Sequence, residues 1–208
     1  MIKTSHLIDI LRRHELPRAP SIGIFKPASV LMPLFDKGGE AHLLAVLKAD
    51  TEGYPWRNQV ALPGGLVDDD DDNTMATACR EIEEELNINR SQVEMVGSLG
   101  WFQTIRETEI EAFVGLWDGE RAGLCYDPGE ISEILEIRLE DLVSAHVAGN
   151  YQGRRPGVAN LIYPAGRERD DNIVIWGVTA MIVHFFLEHL RLMSPESFYF
   201  VSKKRLFI

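Results

Sequence analysis

The sequence predicts an α+β fold in which helices pack on a mixed β-sheet. Three observations point there. Strand-like and helix-like stretches are interleaved without the regular alternation that an all-parallel sheet requires. A chain of 208 residues, 45% hydrophobic and 25% charged, suits one domain, residues 1–208, with modest additions. Finally, the apolar runs 28–35 and 41–47 flank Asp36-Lys37-Gly38-Gly39, a strong hairpin signal.

Taken in order, Leu7, Ile8, Ile10 and Leu11 predict a short amphipathic helix, broken by Pro17 and Pro20. Pro33 lies inside the first hairpin run, which implies an edge position or a bulge. Residues 50–63 read as a loop, closed by a turn at Pro63-Gly64-Gly65. Five consecutive Asp, residues 68–72, form an acidic turn, and a helix follows over 74–86. Strands are expected at 93–101 and 109–117, a loop over 119–129, a short strand at 134–139 and a helix over 141–148. Residues 151–156 are polar, and 161–163 read as a further strand. The most apolar helix is expected over 173–193 with Trp176 in the core, and the tail 198–208 reads as a last strand.

The formal net charge is −11. Duplex nucleic acid is a poor fit, because phosphate-backbone binding draws on Lys and Arg. A phosphate ligand stays compatible, since a bound cation reverses the local charge. Cys79 and Cys125 are the only cysteines and form no metal-binding spacing, which suits a reducing, cytoplasmic setting. The first thirteen residues lack the apolar core of a secretion signal. The longest uncharged run, 172–187, is too short to cross a bilayer, so no membrane association is expected.

The chemistry concentrates in Gly64-Gly65 and Arg80-Glu81-Ile82-Glu83-Glu84-Glu85-Leu86. On a helix, Met75, Ala78, Cys79, Ile82 and Leu86 form an apolar stripe. Glu81, Glu84 and Glu85 share another face, where like charges cost roughly 0.2–0.5 kcal/mol per pair. They also oppose the helix dipole at its C-terminal half. A hard cation such as Mg²⁺ or Mn²⁺ offsets that cost, because it seeks clustered oxygen ligands. A solvated acidic face is the plain alternative. Against it stand Arg80, one turn before Glu84, and the Gly pair, whose bare backbone permits close approach.

This stretch resembles the Nudix box. Arg80 to Glu85 matches its R-E-U-x-E-E core, where U is bulky and apolar, and Ile88 fills the final U. Asn87 stands at the box glycine, the Gly-to-Arg interval is one residue longer, and the early Glu becomes Asp71 or Asp72. The longer interval, Gln59-Val60-Ala61-Leu62-Pro63-Gly64-Gly65 and Ile175-Trp176-Gly177-Val178-Thr179-Ala180 are similar to the coenzyme A diphosphatase branch. Asn58 stands where that branch carries glycine, and Tyr54-Pro55-Trp56-Arg57 replaces its basic residues and His.

The resemblance implies the Nudix α/β/α sandwich and hydrolysis of a nucleoside diphosphate derivative, coenzyme A or an acyl derivative among them. It implies Mg²⁺ or Mn²⁺ held by Glu84 and Glu85, with Glu81 as a ligand or as the base that activates water. The carbonyl of Gly64, or of Gly65, completes the ligand set, and Arg80 orients the glutamates. A further carboxylate is sought among Glu107, Glu109, Glu111, Asp127 and Glu130, with Glu130 favoured for its Pro-Gly turn. Trp56 and Arg57 are candidates to stack on a base and grip phosphate, with Gly65 close to the substrate. Arg57, Arg106, Arg154 and Arg155 are the nearest candidates for the 3′-phosphate of coenzyme A. A homodimer is also an expectation of the resemblance.

The residues leave other readings open. One is a hydrolase of ADP-ribose, nucleotide sugars or nucleoside triphosphates. Another is a nucleotide-binding sensor without catalysis, against which the intact glutamate set argues. A third, an isomerase, would need a placed cysteine, and Cys79 on the apolar stripe is a poor one.

Overall fold

A computed structural model describes residues 25–53, 56–105, 107–119, 121–149, 161–165 and 173–193. The expected N-terminal helix, the polar stretch 151–156 and the C-terminal strand lie outside these residues.

Strands β1 (Lys26–Lys37) and β2 (Glu40–Lys48) form the expected hairpin. Their register closes at Lys37↔Glu40, leaving Gly38 and Gly39 at φ 66° and 84°. A two-residue turn with both residues left-handed is the kind whose twist matches a hairpin, and glycine adopts it without strain. Short strands β3 (Val60–Ala61) and β4 (Gly64–Leu66) follow. The expected turn at Gly64-Gly65 is therefore a strand, antiparallel to β1 over Ala28–Val30. Its glycines are what allow this. A side chain at Gly64 would put Cβ 2.2 Å from Ser29 O.

Helix α1 (Thr74–Leu86) is followed by β5 (Val93–Gln103), β6 (Thr108–Trp117), β7 (Ile131–Arg138) and α2 (Leu139–Val147). A small ribbon of β8 (Tyr163–Pro164) and β9 (Val174–Ile175) leads into α3 (Gly177–Met193). The last helix thus begins at Gly177 rather than 173. The apolar run starts as a strand, and Gly177, at φ 66°, makes the turn into the helix. Trp176 sits in that turn and is 47% exposed, so it is not core.

The seven-stranded sheet runs β3-β2-β1-β6-β5, with β4 on β1 and β7 on β2. It is mixed, because β1 and β6 are parallel. Pro33 therefore lies in a central strand, not at an edge or bulge. It pairs with Gly115 of β6 on one flank. On the other flank the β4 ladder stops at Val30 and the β2 ladder begins at Leu34. Leu31, of the same parity, turns its N–H to Pro63 on that flank (2.9 Å). The missing proline N–H falls between two partners, where no ladder bond is lost.

The two faces of the sheet carry separate cores, giving an α/β/α sandwich. Leu31, Leu44, Val46, Phe113 and Ile134 pack with Ala78, Ile82 and Leu86 of α1. Met32, Leu43, Ala45, Val114 and Ile137 pack with Leu142 of α2 and Ile182 and Phe186 of α3. The alternating strand residues assign one helix layer to each face.

Candidate active site

Helix α1 carries the carboxylates, and its two ends are fixed by asparagines. Asn73 caps the start, its Oδ1 accepting from Ala76 N (3.0 Å). Asn87 ends the helix at φ 56°, ψ 34°, the left-handed position of the box glycine. Ala78, Cys79, Ile82 and Leu86 are buried as the stripe requires, with Met75 partly buried against them. That burial sets the rotation of the helix and aims its glutamates at β4. Cys79 is a free, buried thiol on this stripe, and burial pushes its pKa up, so it is no nucleophile.

Arg80 organises one half of the site. Nε and Nη2 grip both oxygens of Asp71 (3.1 and 2.9 Å), and Nη2 also donates to Leu66 O (3.1 Å). Nη1 bridges Glu81 Oε1 (2.8 Å) and Glu84 Oε2 (3.0 Å). Each of the five guanidinium N–H groups has an acceptor. Of the two aspartates the sequence left open, Asp71 is the one that Arg80 engages. The Arg80 hydrogen bonds hold the Asp71 carboxyl well below the usual carboxylate range. Glu81 moves the other way. Burial raises its pKa, with Arg80 opposing.

The other half is at Glu85. Gly64 N donates to Glu85 Oε2 (3.1 Å), and Lys48 of β2 is ion-paired with Oε1. The side chains of Lys48 and Glu85 are 9% and 8% exposed. Lys48 was not singled out from the sequence. Its signal was present, because it continues the parity of Leu44 and Val46 toward α1. Gly65 gives Glu81 its space, since a Cβ there would come within 2.3 Å of Glu81 Oε1.

Glu81, Glu84, Glu85, Arg80, Gly64 and Gly65 are thus brought together. The remaining candidates are more scattered. Glu111 on β6 accepts from Ser98 Oγ (2.8 Å) and from Thr74 Oγ1, tying β5 and the start of α1 together. Asp127 accepts from Gly129 N within its own turn (2.8 Å). Glu107 (φ 58°) and Glu109 lie at the β5–β6 connection. Glu130 is exposed, and its carbonyl accepts from Ala49 N beside Lys48 (2.9 Å), which places it near the Glu85 end. Trp56 and Arg57 occupy the exposed loop between β2 and β3, and Arg57 Nε pairs with Asp50 (3.5 Å). The loop's base is tied to Lys48 through Asn58 N to Lys48 O (3.1 Å). Asn58 is left-handed at φ 56°, a conformation that asparagine tolerates better than most residues and glycine adopts freely. Arg106, Arg154 and Arg155 lie outside the described residues.

The donor set is three carboxylates with backbone oxygens nearby, which suits a hard divalent cation. Among the described residues no three His, Cys, Asp or Glu side chains converge on one point. Cations of the protein itself, Arg80 and Lys48, lie against these oxygens.

Comparison with known proteins agrees with this geometry. The NUDIX domain family model matches residues 25–161. An "Uncharacterized Nudix hydrolase NudL" of Photorhabdus laumondii is 31% identical over 157 residues, 76% of this chain and 81% of that protein. "Nudix hydrolase 15, mitochondrial" of Arabidopsis thaliana is 32% identical over 164 residues, 76% of this chain and 57% of its own length. A MutT/nudix family protein from Enterococcus faecalis superposes with TM-score 0.51 at 15% identity, covering 99% of this chain and 75% of that one, and supports the fold alone. The chain belongs to the Nudix family and is a hydrolase acting on pyrophosphate bonds. Nudix hydrolases generally use divalent metal ions. No helix among the described residues is long and apolar enough to cross a membrane.

Proposed function

We propose that the protein cleaves the diphosphate of a nucleoside diphosphate derivative, with coenzyme A or an acyl-coenzyme A as its substrate and Mg²⁺ or Mn²⁺ as its cofactor. The observation that carries the reading is that Glu85 meets Gly64 N and Glu81 lies against Gly65, with Arg80 joining Glu81 to Glu84. Glu84 and Glu85 would hold the ion, with Glu81, the Gly64 carbonyl and Glu130 as further donors. When bound, the ion neutralises the diphosphate and stabilises the leaving phosphate.

The chain's own residues do the rest. Arg80 aims Glu81 and Glu84. Glu81 is the most buried partner of Arg80 on this helix, and its raised pKa suits a group that takes a proton from water. Water adds to one phosphorus, the bridging P–O bond breaks, and the second phosphate leaves. Coenzyme A would yield phosphopantetheine and adenosine 3′,5′-bisphosphate. Trp56 and Arg57, on the loop rooted at Lys48, would meet the adenosine end.

Support for coenzyme A comes from the resemblance of Gln59–Gly65, the longer Gly-to-Arg interval and Trp176–Ala180, and from the glycine-like backbone of Asn58. One observation favours a second reading. Arg57 is already paired with Asp50, which suits a substrate without a 3′-phosphate, such as ADP-ribose or a nucleotide sugar. The test is kcat/KM for coenzyme A against ADP-ribose and NADH with saturating metal, products identified by mass. A competitor ahead by more than about tenfold, ~1.4 kcal/mol, removes the coenzyme A reading.

A further inference from the structure

Lys48 is a cation in an unusual place. Lysine is almost never fully buried unless paired, and this one ends an apolar row, after Leu44 and Val46, on the face that α1 covers. A bulge re-aims it. The β2–β7 register passes from Leu47↔Glu133 to Lys48↔Ile131, skipping Ser132, whose Oγ donates to Leu47 O (3.0 Å). Its backbone is fixed from both sides by Lys48 N to Gln59 O (2.9 Å) and Asn58 N to Lys48 O (3.1 Å). The side chain ends on Glu85 Oε1 while Gly64 N holds Oε2, so both oxygens of that carboxylate carry a protein donor.

We propose that Lys48 is a displaceable cation on Glu85: it holds the carboxylate until a divalent ion takes it, and then turns its ammonium to the substrate's diphosphate. The inference rests on the reading of Glu85 as a metal ligand. Two cations on one carboxylate repel, so Lys48 weakens ion binding to the free enzyme. A diphosphate supplies negative charge that both cations share, so ion and substrate bind cooperatively. The compact ammonium on a four-carbon stem has the reach to turn from one anion to the next, which a rigid guanidinium fork lacks. A permanent structural ion pair would instead leave the KM for the diphosphate substrate untouched when its cation is removed.

The experiment is Mn²⁺ titration by calorimetry, without substrate, of the wild type, Lys48→Met, Lys48→Arg and Glu85→Gln. Lys48→Met is expected to bind Mn²⁺ at least about fivefold tighter while its KM for the diphosphate substrate rises by about tenfold. Lys48→Arg is expected to recover little of the KM, because the guanidinium does not make the turn. Mn²⁺ affinity in folded Lys48→Met equal to or below that of the wild type overturns the proposal. Glu85→Gln separates the two readings. If it weakens Mn²⁺ binding while Lys48→Met fails to tighten it, only the Lys48 proposal falls. If it leaves Mn²⁺ binding unchanged, Glu85 is no ligand and both fall. Should Lys48→Met not fold, the Lys48 Nζ resonance of the isotope-labelled wild type is followed during Mg²⁺ addition. A shift at saturation supports displacement, and an unmoved resonance overturns it.

Discussion

Arg80 decides the electrostatics of the helix face at the scale of single residues. Four glutamates within five positions would repel one another, and one guanidinium meets two of them along with Asp71. Only a planar fork can do this, so Arg80→Lys keeps the charge and loses the geometry. We expect it to cost about 1–3 kcal/mol in urea denaturation and at least about tenfold in turnover. The Asp71 partner gives a signed prediction. Its folded pKa is depressed below 3.8 by the Arg80 hydrogen bonds, so its contribution is present at neutral pH and is lost as pH falls below about 4. Asp71→Asn should therefore be less stable than the wild type at pH about 7, with the gap narrowing toward pH about 3. A gap independent of pH would contradict the pairing. The sequence shows the glutamate spacing and Arg80 directly, because helix periodicity fixes them. It cannot separate Asp71 from Asp72, since two identical neighbouring side chains differ only through the turn that carries them. Asn58 and Asn87 look like departures from glycine in the sequence, and both prove to be left-handed, a conformation open to glycine and asparagine alike.

At the scale of elements, α1 is delimited by its caps, and its bounds follow from the sequence because the caps are local. Asn87 adopts φ 56°, ψ 34°, its N–H returning to Glu83 O and Ile82 O. Asn87→Gly is expected to change stability by less than about 0.5 kcal/mol, while Asn87→Val should cost about 1–2 kcal/mol for forcing a branched residue left-handed. Thermal melting of the two variants checks this, and equal melting temperatures would contradict it. Elements whose form depends on distant partners were less legible. Gly64-Gly65 reads as a turn until β1 is seen alongside it. Pro33 reads as an edge residue until the gap between β4 and β2 is known. The start of α3 reads four residues early, because an apolar run does not show where the β8–β9 ribbon ends and the helix begins.

For the whole molecule, the sheet separates a chemical side from a structural one. On the far face from α1, His146 of α2 bonds Tyr163 OH through Nδ1 and Glu188 of α3 through Nε2 (2.8 Å each), and Tyr163 OH meets His184 Nδ1 (2.8 Å). Burial holds both histidines below 6.5, with Glu188 opposing and Arg191 adding to the effect. A depressed histidine favours its neutral form in the fold, so stability is full above about pH 6.5 and declines as pH falls below it. His146→Gln is expected to lower the melting temperature at pH about 8 and to flatten its decline between about 7 and 5. The sandwich was legible through the resemblance to the Nudix family, whereas the parallel β1–β6 pairing was not, since no local pattern encodes which strands meet across so long a stretch of chain. The central claim is that the α1 carboxylates are the metal-dependent catalytic centre. It is tested most directly by turnover of a diphosphate substrate at matched Mn²⁺ for the wild type, Glu84→Gln and Glu85→Gln, with folding checked by circular dichroism. The account predicts folded variants that are each slower by at least about a hundredfold. Wild-type turnover in either variant would contradict it.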